Sequence, residues 1–200
     1  MPEEKSPATK PPRTPISRRD KVIIGLAAIH ACIVGALILC RLCGLLRPFS
    51  VPTSAMAPAV SAGDHILMEN FTFLFAKPHR GDIIVFKSAG IPVLPQSQLY
   101  VKRIAGEPGD RLRISEGRLF INEQPVSLSN ALGEILYNLP IGAEKSALTD
   151  TIVPNGCYFV LGDNATNSFD SRFWGSVPRE NIIGRAAYCY FPPRRIGRVK

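Results

Sequence analysis

Arg111-Leu112-Arg113-Ile114-Ser115-Glu116-Gly117-Arg118-Leu119-Phe120-Ile121-Asn122 is the stretch that decides the fold. Leu112 and Ile114 alternate with polar neighbours, Glu116-Gly117 supplies a turn, and Leu119 with Ile121 resumes the alternation, so the segment reads as a β-hairpin with one apolar face. The segments around it have the same character. Asp82 to Lys87, Gln98 to Ile104 and Tyr158 to Leu161 are short β-rich runs divided by glycine and proline, which predicts a mainly β domain. Residues 127–150 are the hardest to read and stand as a variable insertion: a loop, a short helix or a small extension. Phe71-Thr72-Phe73-Leu74-Phe75 reads either as a buried strand or as an apolar rim at a bilayer interface.

Upstream of the β-rich part the pattern changes. Val22 to Cys40 carries no formally charged side chain, and apolar character resumes after Arg41 through Leu46. A helix crossing a bilayer core needs about 20 such residues. The run is too long for the apolar core of a cleavable signal, and no small-x-small site closes it before Arg47, so a retained transmembrane helix is expected at 21–46. Residues 1–20, rich in proline and charge, are expected to remain a disordered basic tail. Lys5, Lys10, Arg13, Arg18, Arg19 and Lys21 precede the span against Glu3, Glu4 and Asp20, which keeps that tail in the cytoplasm. The β-rich domain, 47–200, then lies on the far side.

The net charge of +8 raises the question of nucleic acid, but the cations are dispersed and no stripe of stacking aromatics accompanies them. Anionic headgroups of the lipid bilayer are the expected partners of the excess charge. Of the five cysteines, Cys32, Cys40 and Cys43 fall in or beside the span; Cys157 and Cys189 could be a disulfide or two buried thiols. No spacing of histidine, cysteine and carboxylate predicts a metal site.

Four blocks remain. They are Val51-Pro52-Thr53-Ser54-Ala55-Met56-Ala57-Pro58, Arg80-Gly81-Asp82-Ile83-Ile84-Val85-Phe86, Tyr100-Val101-Lys102-Arg103 and Gly162-Asp163-Asn164-Ala165-Thr166-Asn167-Ser168-Phe169-Asp170-Ser171-Arg172. In order and content they resemble the blocks of the type I signal peptidases, over roughly Arg47 to Arg185. The resemblance implies a membrane-bound endopeptidase of a bacterial cytoplasmic (inner) membrane that uses a serine/lysine dyad, carries no metal or organic cofactor, and removes signal peptides from secreted precursors after Ala-x-Ala. It assigns the general base to Lys102, the oxyanion donor to Thr53, and the hydroxyl that orients the lysine to Ser168. Val51, Pro52, Met56, Val60, Tyr100 and Val101 would line the small-residue pockets, and Asp170 with Arg172 would form a supporting ion pair. The residues alone leave two readings, a solvated lysine at a strand edge or, since Tyr100, Lys102 and Ile104 share one face of an extended strand, a Lys102 between large neighbours that disfavour its ammonium; the resemblance selects the second.

The departure from the pattern falls at the nucleophile, where the family has serine and this chain has Ala55. A methyl group cannot attack a carbonyl. Three readings stand: an inactivating serine-to-alanine replacement, which the intact remainder of the machinery favours; a natural non-catalytic pseudoenzyme that binds signal peptides; and attack by the neighbouring Ser54. Self-cleaving repressors use a similar dyad, but the membrane span and the Gly162-Asp163-Asn164 block argue against them.

Overall fold

The computed structural model describes residues 17–128, 137 and 150–200. The first 16 residues of the expected tail and nearly all of the insertion at 127–150 lie outside that set. The chain divides into two units, Met1–Leu42 and Cys43–Lys200. Among its described residues the first holds one helix, α1 (Arg18–Leu42), long and apolar enough to cross a membrane. Its limits differ from the expected 21–46 for local reasons. Ser17 Oγ accepts from the Asp20 N–H at 3.2 Å, a cap that starts the helix inside the presumed tail. Gly44, at φ 70°, ends it early, and Leu46 is already in a strand.

The second unit is mainly β, as the hairpin predicted. Its strands are β1 (Leu46–Ser50), β2 (His65–Glu69), β3 (Ile83–Lys87), β4 (Leu99–Gly106), β5 (Arg111–Ser115), β6 (Arg118–Ile121), β7 (Gln124–Pro125), β8 (Thr151–Ile152), β9 (Cys157–Leu161), β10 (Val177–Pro178), β11 (Ile182–Phe191) and β12 (Gly197–Arg198). All their pairings are antiparallel. The larger sheet runs β1-β2-β11-β3-β4-β9-β10 with β12 on β11, and the smaller runs β7-β6-β5-β8. In the β5–β6 hairpin Leu112 faces Ile121 and Ile114 faces Leu119, all four buried, with Glu116 and Gly117 in the left-handed conformation a tight turn requires.

Between β2 and β3 the Phe71–Phe75 run is not a buried strand. Thr72–Phe75 forms a one-turn helix, α2, whose first N–H and threonine hydroxyl both donate to the Glu69 carboxylate, at 3.0 and 2.8 Å. Phe73 packs against the core while Phe75 is 90% exposed, a split that a strand with the same composition would not produce. The longest strand, β11, escapes the sequence reading because Gly184, Ala186 and Ala187 have little β-propensity. Gly184 is required by packing: a Cβ there would stand 2.6 Å from the Glu69 carbonyl on β2. The cysteines among the described residues are all free thiols, Cys189 buried and Cys157 half-buried. Another one-turn helix, α3 (Ser171–Trp174), overlaps the end of the last motif block and is capped by Asp170, whose side chain accepts from the Arg172 N–H.

Candidate active site

A cleft of about 700 Å³ opens where three segments meet: the loop after β1, the first half of β4, and residues 166–169. The loop contributes Val51, Pro52, Thr53, Ala55 and Met56; β4 contributes Tyr100, Val101 and Lys102; the third segment brings Ser168. Residues separated by more than 110 positions thus share one cavity. Val60, expected in a pocket, lies outside it. It is fully buried among Ile66, Ile83 and Ala186, because the turn closed by the Val60 N–H bond to the Met56 carbonyl, at 2.9 Å, points it into the core.

Lys102 sits on a central strand opposite Ile84 of β3 and is 3% exposed. Burial pulls its pKa from 10.5 down to about 8; Asp170 opposes that shift, Arg172 adds to it, and Asp163 opposes it more weakly. A substantial fraction of neutral amine near pH 8 follows. Ser168 Oγ is buried with no hydrogen-bond partner among the described residues. Such a hydroxyl is uncommon in a folded interior and is free to bond a group in the cleft.

Asp170 and Arg172 lie behind the cleft, both essentially fully buried. Arg172 Nε and Nη2 donate to the two Asp170 oxygens at 2.8 and 3.0 Å, and Asp170 also accepts from the Gly162 N–H at 2.9 Å. Arg172 Nη2 further donates to the Ala165 and Ser168 carbonyls at 2.7 and 3.3 Å, so the pair sets the backbone that carries Ser168.

Three supports escaped the residue-level reading although they lie in or beside the quoted blocks. The Asn164 N–H donates to the Ala55 carbonyl and its side-chain amide to the Ser54 carbonyl, both at 3.1 Å. Arg103, next to Lys102, makes a buried two-pronged pair with Asp163 at 2.8 and 2.7 Å. At Gly162 a Cβ would stand 2.1 Å from Ser168 Oγ and 2.6 Å from the Ala55 carbonyl. Gly162→Ala must therefore push the two sides of the cleft apart. It is expected to lower stability by about 1–3 kcal/mol in a denaturant titration, and an unchanged midpoint would contradict this packing.

An antiparallel β domain with a buried lysine lining a cleft, in a chain that also carries a helix of membrane-spanning length, fits the class of membrane-bound serine-type peptidases in which lysine replaces histidine as the base. Residues 23–191 match the family described as signal peptidase, peptidase S26. A signal peptidase I from Leptolyngbya laminosa is 37% identical over 154 residues, 74% of this chain and 70% of that protein. A signal peptidase I from Pseudomonas fluorescens is 34% identical over 184 residues, covering 71% of this chain and 63% of the other. Thylakoidal processing peptidase 1 of Arabidopsis thaliana is 33% identical over 160 residues, 76% of this chain, which spans only 44% of the plant protein's length. The chain belongs to the signal peptidase family, peptidase S26.

Proposed function

We propose that this chain is a signal peptidase I that binds the extended end of a signal peptide in the cleft but, with alanine at position 55, does not cut it. The observation that carries the proposal is the meeting of Ala55, Lys102 and Ser168 in one cavity with the lysine pKa drawn down to about 8. With serine at position 55, neutral Lys102 would take the hydroxyl proton as the oxygen attacks the scissile carbonyl. The resulting ammonium would pass that proton to the leaving amine, and the freed amine would then activate the water that releases the acyl group. The N–H of residue 55 makes no hydrogen bond among the described residues, and Thr53 is exposed beside it, so both can donate to the oxyanion. Ser168 orients the amine through its hydroxyl, which has no partner among the described residues, and Asp170 with Arg172 holds Ser168. Val51, Pro52, Met56, Tyr100 and Val101 give the cleft apolar walls that suit small side chains.

Removing one oxygen leaves every donor and wall in place, so binding survives while the covalent step cannot begin. The same outcome follows from an inactivating replacement and from a natural pseudoenzyme. Helix α1 anchors the protein in a bacterial cytoplasmic membrane, with the basic segment cytoplasmic and the β domain outside. A peptide ending its signal segment in Ala-x-Ala is expected to bind the chain in detergent by fluorescence anisotropy and to be recovered uncut by mass spectrometry. Replacing its last alanine by tryptophan is expected to weaken binding at least about tenfold. Equal affinity for the two peptides, or cleavage of either by the alanine form, would contradict the proposal.

A further inference from the structure

We propose that Arg195, in the segment that follows β11, is a positioning residue for position 55. The inference rests on the reading of that position as the nucleophile's. The loop from Val51 to Asp64 returns on itself: the Val51 N–H donates to the Asp64 carbonyl at 2.9 Å, and the Gly63 N–H donates to the Val51 carbonyl at 2.8 Å. The Asp64 carboxylate is buried and accepts from the Ser61 N–H at 2.8 Å. Arg195 closes the loop from outside. Its Nε donates to both Asp64 oxygens at 2.8 and 2.9 Å, and its Nη2 donates to the Pro58 and Ala59 carbonyls at 2.9 and 3.3 Å. One planar guanidinium therefore fixes the carboxylate at the end of the loop and the backbone three and four residues beyond position 55.

The other flank of position 55 is held by Asn164, through the Ser54 and Ala55 carbonyls. Residue 55 thus lies between two clamps on different parts of the chain. Arg195 is itself well anchored. Its N–H donates to the Pro192 carbonyl at 2.8 Å, β12 pairs with β11, and the Lys200 carbonyl accepts from Arg103 Nη2 at 3.0 Å. The segment that grips the nucleophile loop therefore also touches the residue beside Lys102. A dyad tolerates little relative displacement, since about 1 Å can cost on the order of 100-fold in rate. A forked cation bridging the loop to a sheet-anchored segment is suited to limit that displacement.

Two measurements test this. In the chain with alanine at 55, Arg195→Ala is expected to speed amide hydrogen exchange at Ala57 and Val60, whose N–H groups close the turn, by about tenfold or more while exchange at Ile84 and Val160 is unchanged. Unchanged exchange at Ala57 and Val60 would overturn the proposal. In the Ala55→Ser background, Arg195→Ala is expected to lower kcat about 100-fold with KM and the midpoint of the pH profile near 8 unchanged, and Arg195→Lys to recover part of the loss. A fall in kcat accompanied by a rising midpoint and a rising KM would mean general loosening of the cleft, and would also overturn it. If the Ala55→Ser parent cleaves nothing, the proposed function fails while the exchange measurement still decides the role of Arg195.

Discussion

Ala55→Ser is expected to raise cleavage of a precursor after a small residue by roughly 10⁵- to 10⁶-fold, the order lost when a serine peptidase is stripped of its nucleophile. Lys102→Met added to that variant should return the rate to the starting level, because a thioether accepts no proton at neutral pH. The rate of Ala55→Ser should rise with pH and level off above about 8, since burial sets the Lys102 pKa there and only the neutral amine is a base. Stability moves the opposite way on loss of the lysine. Its folded pKa lies below the unfolded value of 10.5, so the unfolded chain holds the extra proton between about pH 8 and 10.5 and stability rises with pH across that window. Below it the buried ammonium opposes folding by on the order of 3 kcal/mol. Lys102→Met should therefore melt higher at pH 7 while losing all activity, which separates loss of the base from loss of the fold. A gel shift of the precursor and a melting curve decide both points. Cleavage by the alanine form that disappears on Ser54→Ala would move the nucleophile to Ser54.

Asp163→Ala is expected to destabilise the domain by about 3–5 kcal/mol, because it leaves the Arg103 guanidinium buried without the carboxylate that pairs with it. The two side chains are 4% and 0% exposed. The Gly81 carbonyl, which also accepts from Arg103, supplies a dipole and not a compensating charge. Replacing both members, Arg103→Met with Asp163→Leu, should cost much less than either removal alone, since no isolated charge remains. Chemical denaturation of the four proteins in detergent gives the comparison, and equal losses for the single and double variants would contradict a paired burial. Asn164 follows Asp163 directly and holds the Ser54 and Ala55 carbonyls, so Asp163→Ala should also reduce peptide binding before the domain unfolds.

The hairpin at 111–122 and the strand bearing Lys102 are legible in the sequence because their signals are local: alternation with period two, and a turn with glycine where the backbone needs a positive φ. Strand β11 is not legible, since its Gly184-Arg185-Ala186-Ala187 core is chosen by the close approach of β2 and not by propensity. The buried-strand reading of the Phe71–Phe75 run fails for a related reason. Composition alone could not reveal that Glu69 caps it into one helical turn.

The motif blocks pointed to the family and to the chemistry proposed for the site. They put an alanine where the resemblance expects the nucleophile, and no fold supplies a side-chain oxygen at Ala55, because its absence is a covalent fact. What only the tertiary structure decided is distance and environment. Burial lowers the Lys102 pKa, the Ser168 hydroxyl is left without a partner among the described residues, Val60 turns into the core and leaves the cleft, and Arg195 reaches back across 131 residues to Asp64. Each depends on which surfaces pack together across long sequence separations, and a pattern of neighbouring residues carries no information about that.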